Sequence, residues 1–213
     1  MTRSGVCDMA LELLAPVGGM DQLYAAVRFG ANAVYGGMEH YGLRAYAGTF
    51  GPQALREAVS YAHAHNVRFY VTMNILPADE DMPGFLEAAR AALDAGVDAA
   101  IVSDIGAALM LKEHLPELPL HISTQANVLN TRTAKHFYEA MGARRIVLSR
   151  ELSLEKIAAM RRGLPAELEL EAFVHGAMCV AFSGRCLLSA ALTGRSGNRG
   201  ACAQPCRWQY HLV

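Results

Sequence analysis

Acidic residues are missing from the last part of this chain. From Ala172 to Val213 there is no Asp or Glu, while Arg185, Arg195, Arg199 and Arg207 all fall there. An anion meeting this segment meets local positive charge, although the whole chain carries a formal net charge of only −1. Charge is scarce in general, at 18% of residues against 53% hydrophobic, which excludes a disordered chain. Long apolar runs are lacking as well, so no membrane span is expected. The opening MTRSGVCDMALELLAP has neither the apolar region nor the small-residue cleavage site of a secretory signal. Cysteine is scarce outside one region: four of the five stand at 179, 186, 202 and 206, and only Cys7 lies elsewhere. An odd, crowded set fits a reducing compartment better than a disulfide framework, so the cytoplasm is the expected location. Three common signatures are also absent. No GxGxxG opens the first helix, where the sequence is APVGGMDQ, and there is neither a GxSxG elbow nor an HExxH helix.

What is present is an alternation of short apolar runs with longer amphipathic ones. Strands are predicted at 12–15, 33–35, 68–72, 99–103, 120–123, 145–148 and 168–173, and helices at 19–29, 52–65, 82–95, 106–114, 132–141 and 153–162. Gly30, Gly96 and Gly142 each close a helical run just before the next strand, and RFGANAV, DAGVDAAIV and EAMGARRIV repeat that passage. Ser153 is a weaker N-cap signal, because Lys156 rather than an acid stands three residues on. The class is α/β, and repeated βα steps without a phosphate loop favour a TIM-like (β/α) barrel. Seven strands precede the cysteines and no good eighth follows, so the barrel is expected to be incomplete. Residues 1–176 form its strands 1–7, and 177–213 form a cysteine-rich metal- or cluster-binding segment.

In such a barrel the functional face lies at the C-terminal ends of the strands. The polar residues predicted there are Asn74, Asp104, Ser123 with Gln125 and Asn127, Arg150 with Glu151, and His175. Each alone is equally well read as turn or cap chemistry; their convergence on one pocket is the functional reading. The cysteines follow the pattern Cys179-x6-Cys186-x15-Cys202-x3-Cys206, with Gly184, Gly194, Gly197 and Gly200 giving the backbone freedom to fold ligands together. Zinc usually takes two closely spaced pairs, and this spacing is looser. An iron–sulfur cluster tolerates uneven spacing, although the compact ferredoxin run is not present. Small buried hydrophobes would account for Cys179 and Cys186, but poorly for Cys202 and Cys206 in their Gly/Arg/Asn/Pro-rich loop.

FVHGAMCVAFSGRCLLS followed by NRGACAQPCRWQY resembles the signature region of the U32 peptidase family, the collagenase-like proteases. ELLAPVGGMDQLYAAVRFGANAVYGG, YGLRAYAGTF, LHISTQANVLN and RIVLSRELSLEKI look like further segments of that family. Within it, the likeness is greatest to bacterial members that hydroxylate the tRNA wobble uridine to 5-hydroxyuridine, using prephenate rather than molecular oxygen. Related members act on a 23S rRNA cytidine or on a ubiquinone precursor. The resemblance implies a [4Fe-4S] cluster on Cys179, Cys186 and Cys202. Cys206 is either the fourth ligand or a neighbour of a site completed farther along a longer chain, since family members continue well past the CRWxY segment. Structural zinc is the alternative reading of the same thiols.

On this reading His175, Glu151 and Asn74 are the candidate catalytic residues. Arg44, Arg150 and Gln125 are the candidates for holding a small anionic co-substrate. Transfer RNA is expected against Arg195, Arg199, Arg207 and Trp208, where phosphates meet arginines and an exposed base can stack; Arg185, between candidate ligands, reads as structural. Proteolysis is the competing function. His175, Cys179, Ser183 and Cys186 lie close enough in sequence for a nucleophile and base, but four cysteines exceed what a thiol nucleophile needs.

Overall fold

A computed structural model of the chain describes residues 11–43 and 48–211. Seven parallel strands, β1 (Leu14–Pro16), β2 (Ala33–Gly37), β3 (Arg68–Met73), β4 (Ala99–Val102), β5 (Leu120–Ile122), β6 (Arg145–Val147) and β7 (Glu169–Glu171), follow one another in spatial order. Between them run α1 (Met20–Arg28), α2 (Pro52–Ala64), α3 (Met82–Asp94), α4 (Ile105–His114), α5 (Thr131–Met141) and α6 (Leu154–Arg162); α7 (Leu188–Thr193) lies in the cysteine segment. The sheet is therefore the expected incomplete (β/α) barrel. No helix among the described residues is long and apolar enough to cross a membrane.

Local chemistry sets the element ends. Gly30, Gly96 and Gly142 all have positive φ where their helices stop, the left-handed region that glycine enters at no steric cost. Asp104 caps α4 by accepting from the Ala107 N–H, and Asn130 caps α5 by accepting from Thr133. Ser153 caps α6 by accepting from the Lys156 N–H at 3.4 Å, so the cap forms without an acid at the third position.

The period of two along each strand divides the core. Phe69, Val71, Met73, Ala100, Val102, Leu120, Ile122, Ile146, Leu148 and Leu168 belong to the larger core, packed with the helices. Ala33, Tyr70, Ala99 and Ile101, with Leu14 and Tyr35, form a second apolar cluster of their own. Toward the N-terminal ends of the strands this inner face turns polar. Arg145, only 6% exposed, places Nη1 2.6 Å from Glu12, Nε 2.7 Å from Glu169 and Nη1 again 3.2 Å from Glu171. Glu12 also pairs with Arg68 and accepts from the Tyr70 hydroxyl. Glu12, predicted to start the first strand, instead stands just before β1, and its carboxylate ties together strands far apart in sequence.

Candidate functional site

At the opposite, C-terminal end of the strands lies a cavity of about 440 Å³. Thr72 and Asn74 border it from β3 and its exit, Ser123 and Gln125 from the turn after β5, Arg150 from the turn after β6, and Glu171 and Phe173 from β7 and beyond. The loops after strands 1 and 2 add Gly18, Leu43 and Gly48. Asn74 is held by both ends: Oδ1 accepts from the Leu43 N–H at 3.0 Å and Nδ2 donates to Ser123 Oγ at 3.4 Å. Ser123 Oγ accepts from the Gln125 N–H, which fixes the turn carrying Gln125. The Arg150 guanidinium lies 4.5 Å from the centre of the Phe173 ring and forms no ion pair among the described residues. A cation oriented by an aromatic face and left without a carboxylate is a ready partner for an anion.

The sequence-predicted residues separate into two groups. Asn74, Gln125 and Arg150 come together at the cavity. Glu151, adjacent to Arg150, turns away. Its Oε1 accepts from the Ser183 N–H at 2.8 Å and both its oxygens meet the Ser183 hydroxyl, so it braces the cysteine segment against the barrel. His175 is exposed and does not border the cavity, and Arg44 lies outside the described residues. Asp104 is spent as a helix cap. Sequence reasoning passed over Thr72, Glu171 and Phe173. The detectable signal was Glu169-x-Glu171-x-Phe173 inside an apolar run, which puts two carboxylates on one side of a strand that must be covered.

The cysteine segment lies across the same end of the barrel. Gly184, at φ +69°, approaches so closely that a Cβ there would stand 2.0 Å from the Gln125 carbonyl oxygen. Gly200, at φ +82°, would place one 2.6 Å from the Gly42 oxygen. Only glycine satisfies both the backbone angle and the approach. Arg199 makes two bonds to Asp81, at 2.6 and 2.9 Å, and the Leu76 N–H donates to the Asn198 oxygen. Arg199, expected to face RNA, is thus a docking residue. The Arg195 Nε donates to the Ala201 oxygen within the segment. Arg207 and Trp208 remain exposed, as do Met178, Val180, Phe182 and Leu187.

All four cysteines of the segment are free thiols, with Cys179, Cys202 and Cys206 exposed and Cys186 partly so. Cys202 Sγ accepts an N–H from Gln204 at 3.4 Å, the kind of bond that stabilises a thiolate ligand. In donor chemistry the set suits an iron–sulfur cluster or zinc. Among the described residues, no three of His, Cys, Asp or Glu stand close enough to hold a metal ion. A cluster bound here would have to draw the thiols together.

The family model for peptidase family U32 matches residues 18–213. The chain is 43% identical over 201 residues to tRNA hydroxylation protein P of Escherichia coli, covering 94% of this chain and 44% of that protein. It is 39% identical over 207 residues to the 23S rRNA 5-hydroxycytidine C2501 synthase of the same organism, covering 97% of this chain and 31% of that one. The chain thus spans less than half the length of these relatives. Among solved structures it resembles the U32 peptidase Mk0906, with a TM-score of 0.61 at 21% identity over 75% of this chain and 67% of that one, a likeness of fold.

Proposed function

Because the chain belongs to peptidase family U32, whose model covers it from residue 18 to 213, we infer that it is the barrel portion of an RNA-hydroxylating enzyme, acting on a tRNA wobble uridine. The observation that carries this reading is the 43% identity along 94% of the chain to a tRNA hydroxylation protein. The geometry supports it. A cavity of about 440 Å³ suits a compact organic molecule rather than a polypeptide. Arg150, stacked on Phe173, faces an anionic co-substrate, with prephenate the compound the family likeness suggests; Asn74 and Gln125 orient it by hydrogen bonds.

The cofactor belonging to this reading is a [4Fe-4S] cluster on Cys179, Cys186 and Cys202, with Cys206 or a later residue as the fourth ligand. When bound, such a cluster supplies one-electron transfer or a Lewis-acidic iron. This chain's own residues do the rest. Arg150 neutralises the co-substrate, and Asn74, held by Leu43 and Ser123, presents a fixed amide to it. Glu151 keeps the cysteine segment over the cavity through Ser183. Exposed Arg207 and Trp208 offer a phosphate contact and a stacking face to RNA.

A peptidase would need a nucleophile activated by a base. The Ser183 hydroxyl meets Glu151 and Thr124, and no serine or cysteine is hydrogen-bonded to a histidine among the described residues. The test is to purify the full-length protein without air, measure iron, sulfide and zinc per chain, and analyse nucleosides from cells lacking the gene. Bound iron and sulfide, with loss of hydroxyuridine restored by the wild-type gene but not by Arg150→Gln, is the expected result. Protein cleavage by metal-free enzyme, with RNA unchanged, would overturn it.

A further inference from the structure

The charged groups inside the barrel do not balance. Among the described residues two guanidiniums, Arg68 and Arg145, face three carboxylates, Glu12, Glu169 and Glu171. Glu12 pairs with both arginines and accepts from Tyr70. Glu169 takes Nε and Nη2 of Arg145 at 2.7 and 2.5 Å, and with its side chain 52% exposed it is also hydrated. Glu171 has the least. Its one ionic contact is the longest of the set, 3.2 Å, from a nitrogen already 2.6 Å from Glu12, and only 18% of its side chain meets solvent. Burial pushes the Glu171 carboxyl upward against the opposing pull of Arg145, and the negative charges of Glu12 and Glu169 push the same way. Among the described residues Arg150 borders the same cavity but makes no ion pair with Glu171, burial keeps His121 neutral, and burial raises the Tyr70 phenol above its usual range.

Of the three carboxyls, Glu171 alone borders the cavity. We propose that Glu171 lines the cavity as a neutral carboxylic acid and is the proton donor to an oxygen of the anion bound there. This rests on the reading of the cavity as a co-substrate site. In the step the O–H bond of Glu171 breaks and a new O–H bond forms on the ligand through an oxygen lone pair. The electron pair of the broken bond stays on Glu171, and no oxidation occurs. The resulting carboxylate is held by Arg145 until water entering the cavity returns a proton. A neutral acid also lets an anion approach where a carboxylate would repel it.

Infrared difference spectroscopy and turnover on the full-length, cofactor-loaded protein test this together. The wild type should show a protonated-carboxyl band at neutral pH that is absent in Glu171→Gln. Glu169→Gln leaves two carboxylates to two guanidiniums, so the band should disappear at a lower pH than in the wild type. Glu171→Gln should cut turnover by roughly a hundredfold with prephenate binding, read by calorimetry, changed far less; Glu171→Asp should restore part of the rate. In the wild type the rate should fall as pH rises through the band's midpoint, and Glu169→Gln should move that limb down with it. Absence of the band, or wild-type turnover and pH profile in a folded Glu171→Gln, overturns the proposal. A wild type that shows the band but leaves RNA unmodified instead overturns the RNA reading and the donor step with it, while the neutral acid stands.

Discussion

The two ends of the barrel are built from the same strands a residue or two apart, and they handle charge in opposite ways. At the N-terminal end Tyr70, His121 and Arg145 sit in a closed arrangement in which the arginine is shared among three carboxylates. At the C-terminal end Thr72, Asn74, Ser123 and Arg150 border an open cavity, and the arginine leans on a ring instead of an acid. The first arrangement uses its charges to hold the strands together. The second keeps its cation oriented and unneutralised, the condition for binding an anion. Fold and function are thus separated along the barrel axis, with Glu171 reaching from one set into the other.

The sharpest way to break this comparison is to remove each arginine in turn. Arg145→Met leaves Glu12, Glu169 and Glu171 without their common partner, and losing one side of a buried ion pair costs about 3–5 kcal/mol. The urea midpoint should fall accordingly. Arg150→Met should shift stability by no more than about 0.5 kcal/mol while weakening binding of the anionic co-substrate proposed above. Equal midpoint shifts for the two variants would show that the ends are not specialised.

A smaller effect sharpens the difference in pH response. His121 is buried, with Nδ1 lacking a hydrogen-bond partner among the described residues and its ring edge-on to Tyr70 at 4.6 Å. Burial first, then the positive charges of Arg145 and Arg68, lower its pKa to about 3. In the unfolded chain it takes a proton near its ordinary value of 6.5, so the unfolded state binds more protons between those limits. Stability contributed by neutral His121 is full above 6.5 and is lost as pH falls toward 3, at up to about 1.4 kcal/mol per pH unit. His121→Phe keeps the contact with Tyr70 and should flatten that limb in unfolding curves measured across the range. An unchanged slope would place the acid sensitivity in the carboxylates instead.

The barrel was legible because its punctuation is local. Glycines at 30, 96 and 142 and the cap at 153 act within a few residues, and the predicted strands and helices fall close to the observed ones. Asn74, Gln125 and Arg150 were legible because a βα step puts the residues after a strand at the functional face. The interior charge cluster was not, since Arg145 meets Glu12 across 133 positions of sequence. Arg199 was misjudged for the same reason: its acid, Asp81, lies 118 positions away, and an acid-free tail looks unpaired only while the barrel it docks on is ignored. Glu151 shows the limit of neighbour reasoning. Adjacent Arg150 and Glu151 look like a pair, yet one faces the cavity and the other the cysteine segment.

The weakest expected effect concerns the join between the cysteine segment and the barrel. The Arg199 guanidinium, followed by the Ala78 N–H, holds the Asp81 carboxyl at about 2, below its ordinary 3.8. A lowered acid stabilises docking above the ordinary value and loses that contribution as pH falls from 3.8 toward 2. The pair is exposed enough for salt to screen it, unlike the interior cluster. The amide of Leu76, bonded to the Asn198 oxygen beside Arg199, reports the join directly. Asp81→Asn should speed hydrogen exchange at Leu76 several-fold at low salt, and less at high salt, while leaving the Arg145 strand unchanged. Faster exchange in both places would mean that the segment helps hold the barrel strands together. Faster exchange at Leu76 alone would leave the segment as a separately attached cover, able to loosen for ligand entry without disturbing the interior charges beneath.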